Sequence, residues 1–476
     1  MDHYHSTPEM TIKKDDPEAL ATVPSQNEKG EVVAPTETHD AVFGTITEDG
    51  PNYRNVGWIG SSVLMLKTQL GLGVLSIPAA FDILGMAPGI VCLLTIAGLM
   101  TYAAYVIGDF KLNHPEVYGI DDAAAIVFGP IGRELFSLGF VLFLVFAAGS
   151  GMLGISIGLN AVSTHGACTA VFVAVAATTV FCFASIRTLG RITLLAWVGL
   201  VAIVIAILIV TIAVGVQGRP DLAPPGPWES DYKIVNSPSF TQGITAISTF
   251  IFAYAGTPFY FPIVAEMRDH RHYIKALLFC QVVLTLVYLV IGIVIYYYCG
   301  SLVASPALGS AGRLIKKISY GSALPGLLAS STLSTHLSSK HIFVRILRGS
   351  KHMTANTLVH WGTWFGCVFG VAITAYCIAS GIPVFGGLVS LMGALFGTLM
   401  CFQPLACMWF HDNWKGIQCR GSPKWYLLVA LNATIIIVGT FLTIAGTYST
   451  IVGIIDSYKV EGGSKAWACA DNSNSV

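Results

Sequence analysis

Residues 57–81 read GWIGSSVLMLKTQLGLGVLSIPAAF. An apolar run of this length crosses hydrocarbon as a helix, yet Gly71 and Gly73 sit near its middle and Pro78 follows. Residues 240–267, FTQGITAISTFIFAYAGTPFYFPIVAEM, repeat the arrangement with Gly256, Pro258 and Pro262. Glycine removes side-chain packing and proline removes a backbone donor, so both helices are expected to unwind there. Bare amides are costly in lipid, so a broken helix is tolerated only where it lines a cavity or is covered by protein. Two breaks in corresponding positions are the pattern of an inverted repeat whose discontinuous helices build a site near the bilayer midplane.

The remainder of the 476-residue chain agrees with a membrane-embedded fold. It is 54% hydrophobic and 11% charged, with a mean hydropathy of +0.69. A soluble domain carries roughly 25% charged residues, so this chain lacks the polar surface to face water. The spacing predicts an all-α polytopic membrane protein with about eleven transmembrane helices. The first repeat (58–216) holds spans 58–80, 84–108, 135–160, 167–187 and 191–216; the second (239–410) holds 239–265, 273–299, 321–342, 357–380 and 384–410. The eleventh is 425–452. Span 321–342 is dense in Ser and Thr and also reads as a re-entrant or amphipathic segment. Residues 1–55 are rich in Asp, Glu, Pro and Thr and read as a disordered tail; 56–455 form the transporter domain and 456–476 a C-terminal tail. The N-terminus shows no apolar leader, so the first helix is expected to direct insertion.

Charge placement predicts orientation. With the N-terminus in the cytoplasm, 18 Lys and Arg fall on the inner side and seven on the outer, with Lys67 inside the first span. An odd span count then puts the C-terminus outside the cell. Formal net charge is zero, which argues against a nucleic-acid partner.

Freed N–H groups at Gly71, Leu72 and Gly73 sit at the positive end of the following half-helix and suit a carboxylate. Freed carbonyls near Thr68, Ala253 and Tyr254, beside Gly256, suit an ammonium. Phe250, Tyr254, Phe259, Met152 and Ile155 supply apolar walls, with no acidic or basic residue for a charged side chain. A neutral amino acid fits best.

Lys67 lies one turn before the first break. A buried ammonium there costs at least about 2.5 kcal/mol unless paired or hydrated, so it reads either as a functional cation or as a lysine that snorkels to the interface. Its partners are expected in the carbonyls of its own helix and the hydroxyls of Ser330, Ser331, Thr332, Ser334 and Thr335. Glu266 closes the sixth span and could pair with Arg268 or Lys67. His270 and His272 form an HxH without a third ligand, and the eleven cysteines show no zinc spacing, so neither a metal nor any other cofactor is expected. Asn160 reads as an interface cap. The sequon at Asn432 lies within the eleventh span and should stay unmodified. Cys168, Cys299 and Cys469 fall on the outer side; the first two are a candidate disulfide, with free thiols as the alternative.

KTQLGLGVLSIPAAF (67–81), FAYAGTPFYFPIVAEMRD (252–269) and SSKHIFVRILRG (338–349) resemble the amino acid/auxin permease family, and within it the N-system neutral amino acid permeases of filamentous fungi. The likeness runs from Asn55 to Tyr458. It implies the APC-superfamily fold, two inverted five-helix repeats plus an eleventh helix. It also implies proton-coupled import of neutral aliphatic and aromatic amino acids at the plasma membrane. In sodium-coupled relatives of this fold a sodium ion lies between the first and eighth helices. The resemblance therefore casts Lys67 as its protonatable stand-in, with Ser331, Thr332 and Thr335 opposite and Glu266 as a further coupling candidate. A vacuolar exporter of the same family is the alternative, with a non-transporting receptor behind it. An enzyme would need a catalytic constellation at the membrane face, and a channel a repeated pore-lining motif; the sequence offers neither.

Overall fold

The structure is a computed structural model describing residues 56–473, apart from 187–188, 218–219, 221–222, 224–227, 348–349, 351, 353–356, 415–421 and 460–464. It also describes two short ribbons, Ser25–Gln26 with Val32–Val33 and Thr38–Asp40 with Gly44–Ile46. The rest of the segment expected to be a disordered tail lies outside the described residues.

Fifteen helices follow: α1 (Trp58–Gln69), α2 (Ile77–Leu84), α3 (Met86–Asn113), α4 (Ile120–Ser163), α5 (Thr169–Ala184), α6 (Leu189–Gln217), α7 (Phe240–Ala253), α8 (Tyr260–Ala265), α9 (Tyr273–Cys299), α10 (Arg313–Leu347), α11 (Leu358–Gly381), α12 (Phe385–Met392), α13 (Thr398–Cys401), α14 (Gln403–Trp414) and α15 (Pro423–Lys459). Among the described residues they group into eleven successive segments, in line with the about eleven spans expected. The first is α1 with α2, the sixth α7 with α8, and the tenth runs from α12 to α14 through a π-helical turn at Gly393–Gly397.

Nine crossings are long and apolar enough to be recognised as such. The other two are α5, only 16 residues long, and α10, whose Ser/Thr content lowers its hydropathy. Helix α10 packs against α4 and α6 and buries Ser331, Thr332, Thr335, Ser338 and Ser339. A helix enclosed by other helices needs no lipid face, so polar composition does not exclude it from the membrane. It is longer than the expected span 321–342 and runs unbroken through Pro325, not as a re-entrant loop. Helix α4 carries a short leading segment from Ile120 that breaks at Gly129, where φ is +71°, before Pro130, and the expected third span 135–160 lies in the part after that break.

The two breaks fall where glycine and proline place them. Helices α1 and α2 meet at 47° around a 3-10 turn at Gly73–Ser76. Helix α7 ends at Ala253, and a second 3-10 turn, Thr257–Phe259, leads into α8. Ser239 and Gln242 cap the start of α7 reciprocally. At the opposite end of α8, Val56 N donates to Glu266 O (3.3 Å) and Arg268 N to Val56 O (3.0 Å), tying the start of the first crossing to the end of the sixth. Gly85 joins α2 to α3 with φ +90°, and a Cβ there would stand 2.6 Å from Asn236 N. Only glycine admits both that backbone and that contact.

The C-terminal segment folds back. Cys168, before α5, is disulfide-bonded to Cys469, and Trp467 N donates to Ser380 O (3.0 Å). The candidate pair Cys168–Cys299 is therefore corrected: Cys299 is buried, with Sγ 3.9 Å from Ser310 O. Asn160, in the last turn of α4, is fully buried; its Nδ2 donates to Thr169 Oγ1 (2.8 Å) and Asn472 Oδ1 (2.7 Å). Asn432 is buried as well and donates to Tyr102 Oη (2.6 Å).

Candidate functional site

The broken helices cross with their backbones in contact. A Cβ on Gly73 would lie 2.7 Å from Ala253 Cα, so that turn is pressed against the last residue of α7. A Cβ on Gly256 would reach Gln69 Cγ at 2.5 Å and Thr68 Oγ1 at 2.9 Å, which is the reciprocal contact. A Cβ on Gly71 would meet only Ser330 Oγ at 3.9 Å, so Gly71 faces open space.

Unsatisfied polar groups gather at this crossing. The amides of Gly71, Leu72 and Gly73 find no acceptor among the described residues. Gln69 Oε1 and Ser76 Oγ are buried without a partner, while Gln69 Nε2 donates to Tyr260 Oη. Buried polar groups are normally paired, so such a concentration marks a place where a ligand or water completes the bonding. The carbonyls are held differently from the sequence expectation. Tyr288 on α9 places its hydroxyl 2.8 Å from Ala253 O and 3.0 Å from Gln69 O, sharing one proton between the last carbonyls of α7 and α1. Tyr254 O accepts from Gly256 N (2.8 Å), and Thr68 Oγ1 donates to Met65 O (2.7 Å).

Of the expected walls, Phe250 is buried edge-on against Phe81 (5.7 Å between centroids). Tyr254 turns to α9, donating to Thr285 Oγ1 (3.0 Å) beside Tyr288. Phe259 meets Phe140 and Phe143 of α4, at 5.5 and 6.4 Å. Met152 and Ile155 are buried on α4.

Lys67 extends away from the crossing. Its Nζ stands 5.9 Å from the Trp197 ring of α6 and lines a cavity of about 30 Å³, room for a water molecule. Leu70, Gly199, Ile203, Gly326, Ala329 and Ser330 share that cavity. Of the five expected hydroxyls, Ser330 alone lines it. Ser331 donates to Leu327 O (2.9 Å) and abuts Gly151 of α4, while Thr332 and Thr335 are buried with unpartnered hydroxyls. Glu266 lies near the start of α1, where burial pushes its carboxyl up and the Lys340 ammonium pulls it down. From Val56, tied beside Glu266, to Lys67 is roughly 16 Å of helical rise, so these two groups do not meet.

One residue missed by sequence reasoning lies at this crossing, Tyr288. Gln281, Thr285 and Tyr288 share one face of α9, and both amide atoms of Gln281 are buried without a partner. The available signal was polar residues at i, i+4 and i+7 in an otherwise apolar span. Tyr288→Phe leaves two buried carbonyls without their shared donor, a loss of about 1–3 kcal/mol. We expect the detergent-solubilised variant to melt several degrees lower and to take up substrate several-fold more slowly, measured by thermal shift and initial uptake rate.

The fold and this crossing define the class, a multi-pass membrane transporter with two discontinuous helices. The chain belongs to the transmembrane amino acid transporter family, whose sequence profile matches residues 54–452. It is 36% identical over 434 residues to a "Transmembrane transporter" of Gibberella moniliformis, covering 90% of each chain. It is 32% identical over 474 residues to the "N amino acid transport system protein" of Neurospora crassa, covering 96% of this chain and 98% of that one. Among solved structures it is similar to inward-facing Mhp1 (TM-score 0.55, 12% identity, 85% of this chain and 91% of that one). It is also similar to a Na+-coupled sialic acid symporter in its substrate-bound outward-open state (TM-score 0.50, 13% identity, 87% and 92%). The fold is thus the APC-superfamily arrangement expected from the sequence.

Proposed function

We propose that this protein is a secondary active transporter that imports neutral amino acids by proton symport across the plasma membrane. The observation that carries the reading is the set of unpaired amides at Gly71, Leu72 and Gly73, with Gly73 pressed against the end of α7 and Gly71 facing open space. A carboxylate satisfies them at the start of the half-helix leading into α2. The substrate ammonium is met by carbonyls around Thr68, Ala253 and Tyr254, whose second lone pairs stay available beside the Tyr288 hydroxyl. Neither break contributes a charged side chain, which favours a neutral substrate over a cationic or anionic one. Lys67 carries the coupled proton in its cavity between α1, α6 and α10, which Ser330 also lines. The name of the Neurospora relative agrees with amino acid transport.

The test is radiolabelled uptake in permease-deficient cells, with a neutral, a cationic and an anionic amino acid. Accumulation of the neutral one alone, abolished by a protonophore and indifferent to sodium, is expected. Uptake that survives the protonophore, or selection of a charged amino acid, overturns the reading. The Lys/Arg bias predicts that a C-terminal epitope is labelled on intact cells. Labelling only after permeabilisation, with a tagged protein on the vacuole, would instead favour the exporter.

A further inference from the structure

One side-chain cluster lies apart from the crossing, where the end of α3 meets the end of α14. His114 terminates α3, and His411 and Asp412 occupy the last turn of α14. Asp412 Oδ1 is 2.9 Å from His114 Nε2 and 3.1 Å from His411 Nδ1, and one ligand atom from each of the three residues lies within 4.8 Å of the others. The other carboxylate oxygen, Oδ2, accepts from Asn113 Nδ2 (3.0 Å). The far nitrogen of His114 faces Glu116 Oε1 at 3.7 Å. Phe110 packs on the His114 ring at 4.4 Å between centroids, which fixes its plane.

We infer that His114, His411 and Asp412 form a binding site for a divalent transition-metal ion, with zinc the ion best suited to two imidazoles and one carboxylate. Zinc holds such ligands at about 2.0–2.2 Å in a tetrahedron, which puts neighbouring ligand atoms roughly 3.3–3.6 Å apart. The two His–Asp spacings, 2.9 and 3.1 Å, lie a few tenths of an ångström below that and all three atoms within 4.8 Å, so a small opening of the cluster admits the ion. The surroundings match what metal-ligating groups require. Glu116 stands where it would orient the second nitrogen of His114, and Asn113 orients the second oxygen of Asp412. If His114 turns its N–H toward Glu116, a lone pair on Nε2 opposes the Asp412 carboxylate at 2.9 Å, and a cation between them removes the repulsion. The site is reachable, since Asp412 is 11% exposed and His411 35%. A fourth position is left for water. No sequence spacing announced the cluster, because His114 and Asp412 are 298 residues apart.

The test uses the full-length protein in detergent, with Zn2+ competing against a chromophoric chelator. One equivalent is expected in the wild type, at least tenfold weaker in His114→Ala, His411→Ala and Asp412→Asn, and unchanged in His270→Ala. No uptake by the wild type, the result for a hydrogen-bonded triad that binds only protons, overturns the inference. So does equal binding in all variants. Should the variants fail to fold, X-ray absorption on the zinc-loaded wild type decides: two imidazoles in the coordination shell support the site, and fewer than two refute it.

Discussion

Gly73→Ala is expected to lower amino acid uptake by tenfold or more, whereas Gly71→Ala should keep the fold and raise the KM. The added methyl at Gly73 would lie 2.7 Å from Ala253 Cα and 3.2 Å from its Cβ. That neighbour is backbone and cannot rotate away, so the two broken helices must separate at their crossing. Overpacking of this kind costs about 1–3 kcal/mol, roughly five- to 150-fold in an equilibrium constant, before any effect on the exposed amides. At Gly71 the same methyl meets only Ser330 Oγ, at 3.9 Å. It stands instead in the space from which a carboxylate would approach. Initial uptake rates, surface abundance and detergent melting temperature separate the two cases. A Gly71→Ala variant with wild-type KM would place the substrate elsewhere.

Lys67→Ala is expected to abolish accumulation against a gradient while leaving exchange of amino acid down its own gradient. The lysine lies between the first broken helix and two unbroken ones, α6 and α10, across which its charge can act. On the proposed coupling, the protonated ammonium would hold α1 to the Trp197 face, 5.9 Å away, and loss of the proton would release it. Proton-driven accumulation and counterflow in reconstituted vesicles distinguish coupling from binding. A Lys67→Ala protein that still concentrates substrate with a proton gradient alone moves the coupling site, and Glu266 is the next residue to change.

The breaks were legible because glycine and proline act on the backbone of their own helix, whatever packs around them. Gly71, Gly73, Gly256 and Pro258 therefore located the crossing from composition alone. The partners across it were not legible in the same way. Tyr288 sits in a span whose apolar character masks it, and its reach to α1 and α7 depends on how helices distant in sequence assemble. Lys67 was expected to face the hydroxyl-rich eighth span. Its cavity is bounded as much by α6, where Gly199 lets α10 approach so closely that a Cβ there would stand 2.5 Å from Ala329 Cβ. Likewise the polar α10 was hard to read as a crossing, because hydropathy reports exposure to lipid and this helix has little.

The bond between Cys168 and Cys469 makes the chain from α5 through α15 a covalent ring. A single backbone cut anywhere inside that ring opens it but releases nothing, so both pieces travel together until the bond is reduced. A cut between the end of α4 and Cys168 instead leaves the first three crossings, with half of the broken-helix pair, without a covalent link to the rest. Proteolytic damage to this protein therefore has two characters, concealed on one side of residue 168 and overt on the other.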